Sequence, residues 1–285
     1  MNIGIIGAKS YIGRYFSSFI HSEKNYCITF INSRNGDWKK LSFNKFDVLL
    51  HVAGIAHIST DIAMKKLYYE INRDLPIALA KKAKVEGVKH FVFFSSILVY
   101  GDDLPINRLN IINSTTTPKP SNYYGKSKLA AENGLTSLQD SSFNISIIRL
   151  PMVYGKGCKG NFPRLIYLAS KLPIFPDIAN QRSMINIDNL CAYLKMVIDN
   201  KVSGFLFPQN SEYVSTKDII LKASIYTNHR IRFIKIFNLP ILLLSLKIDP
   251  IRRMFGSKVY DKSMSPDMQS YNIFSFEESM KRYFL

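Results

Sequence analysis

The sequence predicts an α/β fold in which a doubly wound parallel sheet is followed by a smaller C-terminal lobe. Three observations support this prediction. Short apolar runs alternate with longer segments of helical periodicity over the first 150 residues, a turn containing glycines follows the first apolar run, and the alternation weakens after about residue 155. Strands separated by helices favour right-handed crossovers, and parallel strands place ligands at their carboxyl ends.

The elements are expected in a regular order. The predicted strands are 3–6, 27–32, 47–52, 90–95 and 144–150, and the predicted helices cover 10–20, 62–86, 123–138 and 185–200. Residues 1–155, rejoined by about 185–205, are expected to form a dinucleotide-binding domain. Residues 156–184 and 206–285 are expected to form the substrate lobe.

Composition excludes several classes of protein. The 285 residues are 47% hydrophobic and 21% charged, which is typical of a globular chain and not of a disordered or fibrous one. Lys and Arg exceed Asp and Glu by 38 to 21, a net charge of +17 that favours anionic partners or a solvated, lysine-rich surface. Three widely spaced cysteines and the lack of a signal-like N-terminus indicate a cytoplasmic protein.

The apolar run Leu239–Leu246 is far shorter than the roughly 20 residues of a membrane span. We interpret it as core of the smaller lobe, with a membrane-docking surface as the alternative. The histidines His21, His57, His90 and His229 lack the spacing of metal ligands, so no metal site is expected. His51 ends a predicted strand and is expected to be buried and hydrogen-bonded.

Three motifs carry candidate chemistry. Gly7, Ser10 and Gly13 follow the first strand and open a helix, where small residues and free N–H groups suit a pyrophosphate. Tyr124 and Lys128 are four residues apart and share one face of a helix. Ser96 follows a buried strand, where its hydroxyl would meet a reacting oxygen. A neighbouring ammonium would favour the ionised form of the Tyr124 phenol and prepare it for proton transfer.

Together these motifs resemble the extended short-chain dehydrogenase/reductase family, of the NAD(P)-dependent nucleotide-sugar epimerase/dehydratase type with a Rossmann domain. The resemblance covers about residues 1–215. Within this family the chain is similar to UDP-glucose 4-epimerases. It also includes segments that follow the same family pattern elsewhere: His51-Val-Ala-Gly54, Asn72, Arg149 to Gly155, Gly160 to Phe162 and Arg182 to Asp188.

The resemblance implies a role for each matching residue. Tyr124 would be the acid/base, Ser96 would bind the substrate oxygen, and Lys128 would hold the nicotinamide ribose and lower the pKa of Tyr124. Asn161 and Arg182 would bind the UDP part of the substrate, whereas Ser96 and Tyr124 would contact the sugar. The remaining cofactor-binding residues implied by the resemblance are Gly7, Ser10, Tyr11, Ile12, Gly13, Arg34, Ala53, Gly54 and Asn72.

The chain departs from the family pattern at the second strand. The acid expected there for a ribose 2′-hydroxyl is missing, and Asn32, Ser33 and Arg34 stand in its place. A nearby arginine suits a 2′-phosphate, so the choice between NAD and NADP stays open. About 14 residues separate this strand from the next, too few for a full helix and a further strand.

Two enzyme activities fit the same residues. A 4-epimerase acting on a UDP-hexose or UDP-N-acetylhexosamine, for surface glycan precursors, is placed first. The alternative is an NADPH-dependent reductase of UDP-4-keto-6-deoxy-hexosamines. A 4,6-dehydratase is disfavoured, because Ile97 and Leu98 replace the acidic pair that water elimination needs.

A non-catalytic nucleotide- or RNA-binding protein with this fold is a more distant alternative. Intact Ser96, Tyr124 and Lys128 argue against it, and no nucleic-acid partner is expected. The expected partners are a UDP-sugar, a second copy in a homodimer and, weakly, a membrane surface.

Overall fold

The computed structural model describes residues 1–55, 62–102 and 105–285, so that His57 lies outside the described residues. The strands within these ranges are β1 (Asn2–Ile6), β2 (Cys27–Ile31), β3 (Val48–His51), β4 (His90–Ser96), β5 (Leu109–Ile112), β6 (Asn144–Leu150), β7 (Met152–Tyr154), β8 (Ile174–Pro176), β9 (Met184–Asn186), β10 (Gly204–Leu206), β11 (Arg232–Ile234) and β12 (Ser257–Tyr260). The α-helices are α1 (Tyr11–Phe19), α2 (Ala63–Tyr69), α3 (Leu75–Val85), α4 (Tyr123–Thr136), α5 (Asn161–Ala169), α6 (Ile187–Asp199), α7 (Thr216–Tyr226), α8 (Asn238–Ser245), α9 (Asp249–Phe255), α10 (Met268–Tyr271) and α11 (Phe276–Phe284).

The chain divides into two compact units. The first consists of Met1–Gly101, Thr117–Leu150 and Cys191–Pro208, and the second consists of Asp102–Thr116, Pro151–Leu190 and Gln209–Leu285. The short segment Asp102–Thr116, which the sequence places in the dinucleotide-binding domain, thus groups with the second unit.

A six-stranded sheet of parallel strands forms the centre of the first unit, in the order β10-β6-β4-β3-β1-β2. The predicted α/β class with a parallel sheet is therefore confirmed. β2 is an edge strand, and between β2 and β3 the chain forms only a 3-10 turn, Asp37–Lys39, as the short spacing indicates. β1 pairs with β2 on one side and with β3 on the other. The chain therefore proceeds toward one edge of the sheet from β1 to β2 and toward the opposite edge from β3 onward, so the β1–β3 boundary is a topological switch point.

Helices of the first unit cover apolar strands. α3 and α4 pack on each other and on β4, and a π-helical segment, Glu70–Asp74, joins α2 to α3. The buried residues of this core share aromatic or branched side chains, and include Ile6, Trp38, Phe43, Leu49, Leu79, Phe91, Phe93, Leu135, Phe143 and Ile147. Because every strand of the sheet's middle is covered, the strands are continuous apolar runs rather than alternating ones.

The second unit contains three small parallel sheets, formed by β5 with β12, β7 with β9, and β8 with β11. An aromatic cluster of Tyr154, Phe162 and Phe276 lies in its core, where the Tyr154 and Phe162 rings are 4.9 Å apart. The interpretation of Leu239–Leu246 as core is wrong. These residues lie in and just after α8, and several of their side chains are exposed to solvent.

His51 is fully buried at the end of β3, as expected. Neither ring nitrogen has a partner among the described residues, and the ring lies against Phe91 and Phe93 with centroids 6.1 and 5.8 Å away. Burial lowers the pKa of His51 to about 3, and the charge of Lys128 contributes to the same shift. The imidazole is therefore a neutral, apolar-packed group whose protonation the fold resists.

This burial predicts an acid sensitivity that a His51→Phe variant lacks. Below the ordinary histidine pKa the unfolded chain binds a proton here and the folded chain does not, so the stability of the wild type is lost as the pH falls. Relative to the variant, the wild type should lose about 1.4 kcal/mol of unfolding free energy per pH unit between about pH 6 and pH 4. Urea denaturation across this range measures the difference, and parallel pH profiles for the two proteins would contradict the prediction.

Candidate active site

Candidate residues collect at one edge of the six-stranded sheet, at the carboxyl ends of three neighbouring strands. Gly7 follows β1, the segment 52–55 follows β3, and Ser96 ends β4. Because β3 pairs in parallel with both β1 and β4, these three chain segments lie beside one another. This is the edge at which doubly wound sheets bind ligands.

The turn after β1 is compact and opens α1. Gly7 has a φ of +118°, and a Cβ at this position would lie 3.0 Å from the backbone nitrogen of Ala53. Ser10 has ordinary extended dihedrals and caps α1, accepting a hydrogen bond from the Gly13 amide at 3.4 Å. Serine at this position thus costs no backbone strain and stabilises the start of the helix. The predicted cofactor residues Tyr11 and Ile12 form the first turn of the helix, where amide groups point out of the N-terminus.

The segment after β3 is held by a buried asparagine. The Asn72 side chain, within the π-helical segment, accepts a hydrogen bond from the Ile55 amide at 2.9 Å and donates one to the Ile55 carbonyl at 3.1 Å. It also donates to the Ser127 hydroxyl of α4 at 3.3 Å. A Cβ on Gly54 would lie 3.0 Å from Asn72 Oδ1 and 3.4 Å from Lys128 Nζ. Asn72, Gly54 and Lys128 therefore converge on one point.

Tyr124 is brought to the end of β4 by a close approach of two backbone segments. A Cβ on Gly125 would lie only 2.6 Å from the Leu98 carbonyl oxygen, so glycine lets α4 begin directly against the 3-10 turn after β4. The Ser96 hydroxyl is close enough to the Tyr124 phenol to lower its pKa, and Ser96 accepts a hydrogen bond from the Leu98 amide at 3.2 Å.

The pKa of Tyr124 is raised, not lowered. Burial is the largest cause, the nearby Tyr68 adds to it, and the hydrogen bond with Ser96 opposes it. The expectation that Lys128 lowers this pKa is wrong for the protein by itself. The physical reason is that burial outweighs every other influence on the phenol, while the Lys128 ammonium donates to the Phe94 carbonyl at 2.7 Å.

Lys128 is buried, and its ammonium lies 4.5 Å from the centroid of the Phe93 ring. Burial lowers the pKa of Lys128 to about 7, and the Glu132 carboxylate partly opposes this shift. The ammonium is nevertheless next to Gly54 at the sheet edge. This placement suits a group that binds a ribose hydroxyl lying over the end of β3.

A buried ionic network lies behind the site and was missed from the sequence. Glu132 of α4 accepts two hydrogen bonds from the Arg149 guanidinium of β6, at 3.1 and 2.7 Å, and one from the Ser95 hydroxyl. Arg149 also donates to the Tyr100 hydroxyl at 2.6 Å. The signal was present, because Glu132 is one turn beyond Lys128 on the same helical face. The network joins α4, β4 and β6 where the site needs a fixed geometry.

Arg34, proposed for the cofactor's adenosine end, is exposed in the turn after β2. Its amide donates to the side chain of Asn32 at 3.1 Å, which fixes a tight turn directly after the strand. Asn32 thus occupies the place at which an acid is expected, and its amide group carries no charge to repel a phosphate.

The remaining predicted residues belong to the second unit. Asn161 is exposed at the first position of α5, which follows Gly160 with a φ of +99°. Arg182 is partly buried, and its guanidinium donates to the Arg253 carbonyl. The structure places Ser96, Tyr124, Lys128, Gly54 and Asn72 together in the first unit, whereas Asn161 and Arg182 are placed in the second.

The local geometry of the sheet edge fits a dinucleotide. Gly7 and Gly54 leave space that a single Cβ would take from Ala53, Asn72 and Lys128. The N-terminus of α1 offers amide donors beside Gly7, and the Tyr124 and Ser96 hydroxyls lie at the end of the neighbouring strand. A small cradle, an anion-binding helix terminus and a paired hydroxyl site form the arrangement that hydride-transfer chemistry needs.

Comparison with known proteins agrees with this arrangement. Residues 3–206 match the model of the NAD dependent epimerase/dehydratase family. The chain is 34% identical to a UDP-glucose 4-epimerase of Vibrio cholerae over 194 residues, which cover 65% of this chain and 58% of that protein. The chain thus matches little more than half the length of this curated relative.

Solved structures share the fold over the whole chain. A UDP-glucuronic acid 4-epimerase from Bacillus cereus in complex with NAD has a TM-score of 0.77 at 19% identity, covering 100% of this chain and 96% of that one. A dTDP-4-dehydrorhamnose reductase from Clostridium acetobutylicum has a TM-score of 0.77 at 20% identity, covering 99% and 98%. Similarity at this level of identity establishes the fold alone.

The buried network predicts a strong effect of Glu132→Gln on stability. The substitution leaves the Arg149 guanidinium buried without its counterion, and should lower the free energy of unfolding by about 3–5 kcal/mol. Glu70→Gln, in the exposed 3.8 Å pair with Lys66, serves as the control and should cost less than about 1 kcal/mol. Urea denaturation measures both, and equal effects of the two substitutions would show that the network adds no stability.

Proposed function

The chain belongs to the NAD-dependent epimerase/dehydratase family, and we propose that it is a nucleotide-sugar 4-epimerase acting on a UDP-hexose or UDP-N-acetylhexosamine. The observation that carries the proposal is the placement of Tyr124 beside Ser96, with Lys128 one helical turn later and next to Gly54 at the sheet edge. A curated relative named as a UDP-glucose 4-epimerase supports the same reaction. A homodimer is part of the proposal.

The proposed reaction assigns one task to each residue. A bound NAD or NADP would supply reversible hydride transfer at the sugar C4, which is what inversion at this carbon needs. Tyr124 takes the proton of the 4-hydroxyl and later gives it back, while Ser96 hydrogen-bonds the same oxygen. Lys128, Asn72 and Gly54 shape the ribose position, and Asn161 and Arg182 bind the UDP part of the substrate. Arginine suits this last role because its planar guanidinium pairs with two phosphate oxygens.

The pKa of Tyr124 sets a condition on this mechanism. Because burial raises it, the phenol keeps its proton in the free protein and cannot act as a base at neutral pH. Proton removal from the substrate therefore requires a positive charge near the phenol once the ligands are bound. Such a charge acts strongly here, since a buried site screens charges less than water does.

Replacing Tyr124 by Phe tests the proposed role directly. The protein is incubated with UDP-glucose or UDP-N-acetylglucosamine, without added cofactor, and formation of the 4-epimer is followed by chromatography. Tyr124→Phe should lower the rate by at least about a hundredfold while leaving bound dinucleotide in place. Tyr123→Phe, one residue earlier on the same helix, should keep the wild-type rate. A Tyr124→Phe variant with more than about a tenth of that rate would require a different acid/base.

One observation favours the second candidate, an NADPH-dependent reductase of a 4-keto nucleotide sugar. The turn after β2 presents uncharged Asn32 and an exposed Arg34 where an acid would select NAD. The reductase that shares this fold shows that the architecture suits such chemistry. Epimerisation without added cofactor supports the first candidate, whereas stoichiometric consumption of NADPH with a 4-keto sugar supports the second.

The role of Arg34 is tested by comparing two cofactors. If its guanidinium meets a 2′-phosphate, Arg34→Ala should weaken NADPH binding by about tenfold and leave NADH binding unchanged, because only NADPH carries that phosphate. Lys39→Ala removes an exposed charge from the same connection and is the control. Isothermal titration of the wild type and both variants with NADH and with NADPH gives six binding constants. Equal weakening of NADH and NADPH would exclude recognition of the phosphate by Arg34.

A further inference from the structure

Seven exposed apolar side chains lie in and next to α8, between residues 236 and 248, and we call this set the α8 patch. Its members are Ile236, Phe237, Leu239, Leu243, Leu244, Leu246 and Ile248. Four of them are more than half exposed: Ile236 at 75%, Leu239 at 65%, Leu246 at 60% and Leu243 at 59%. Exposure of one such side chain is ordinary, but seven within thirteen residues require an explanation.

The helix itself is unusual for a water-facing element. Within α8 only Ser245 is buried, although five of the eight residues are leucine or isoleucine. A surface helix normally carries apolar residues toward the core and polar residues toward water. α8 turns Ile241, Leu242 and Ser245 inward, but its leucines at 239, 243 and 244 are exposed and lack the burial that would stabilise them in the fold. Folding of this chain alone therefore does not account for these three leucines.

Positive charge surrounds the patch along the chain. Lys235 precedes Ile236, Lys247 stands between Leu246 and Ile248, and Arg230 and Arg232 lie in the preceding segment. All four are exposed, and none forms an ion pair with a residue in the described ranges. Exposed apolar side chains together with unpaired cations match a partner that is apolar inside and anionic at its surface.

We propose that the α8 patch docks this protein onto an anionic lipid bilayer. The leucines would enter the boundary between headgroups and acyl chains, while Lys235 and Lys247 would contact the lipid phosphates. None of the helices in the described part of the chain is long and apolar enough to cross a membrane. The contact is therefore a reversible surface attachment that depends on both apolar and ionic terms.

The charges argue against a second copy as the occupant. A two-fold contact through the patch places the same surface on both sides, so Lys235 and Lys247 would face cations of the other copy. An anionic bilayer would instead attract these cations.

Vesicle flotation with the full chain tests the proposal. Vesicles of phosphatidylcholine alone are compared with vesicles in which about a third of the lipid is phosphatidylglycerol, at low and at high salt. We expect binding to the anionic vesicles, at least about tenfold weaker binding to the neutral ones, and a loss of binding as salt screens the lysines.

Matched substitutions locate the contact. Leu243→Asp and Leu246→Asp should each weaken vesicle binding by about tenfold, because each replaces an inserted leucine by a charge of the wrong sign. Ile225→Asp, at a residue of α7 that is 62% exposed, makes the same change outside the patch and should bind as the wild type does. Circular dichroism and the urea midpoint of each variant establish that it is folded.

Several outcomes would overturn the proposal. Failure of the folded wild type to float with anionic vesicles excludes bilayer docking. Equal loss with Ile225→Asp shows that net charge and not the α8 patch governs binding. If light scattering instead shows a dimer that Leu243→Asp converts to a monomer, and no vesicle binding, the occupant is a second copy. None of these readouts depends on the proposed enzymatic reaction.

Discussion

The candidate site depends on one close contact, that between the first turn of α4 and the turn after β4. The absence of a side chain at Gly125 brings the helix against the Leu98 carbonyl. This contact sets Tyr124 within hydrogen-bonding reach of Ser96 and directs Lys128, one turn later, to the end of β3. Three loops from separate parts of the chain thereby supply one constellation, and a larger residue at position 125 would separate the phenol from its partner.

Electrostatics at this edge follow from burial. The folded structure disfavours charge on His51 and Lys128 and disfavours the ionised phenol of Tyr124. Full charge is kept one layer deeper, where Glu132 and Arg149 neutralise each other with several hydrogen bonds. At the sheet edge, charges are therefore weakly screened, and the ion pair of Glu132 and Arg149 lies rigidly behind it. In such surroundings a charge brought by a ligand changes proton affinities more than it would in water.

The sequence predicted the first unit well because its physical signals are local. Continuous apolar runs identified the strands of the parallel sheet, and four-residue spacing placed Tyr124 and Lys128 on one face. The direction of the Tyr124 pKa was not predictable, since it depends on how deeply the folded chain buries the phenol. The missing partners of His51 were equally hidden, because hydrogen bonding depends on which side chains surround the ring in space. In the second unit the strands have three or four residues, too few for a clear pattern.

The misread segment around α8 shows why composition alone does not determine burial. An apolar run predicts removal from water, yet the folded chain buries Ser245 fully and Ile241 and Leu242 partly, and leaves Leu239, Leu243 and Leu244 exposed. The energetic preference of the leucines for an apolar environment is unchanged by their exposure. The apolar environment must therefore come from outside the folded chain, from a surface that also accommodates Lys235 and Lys247. The periodicity that identifies helices against a core does not distinguish a core from a bilayer surface, and the distinction rests on the exposure of each side chain.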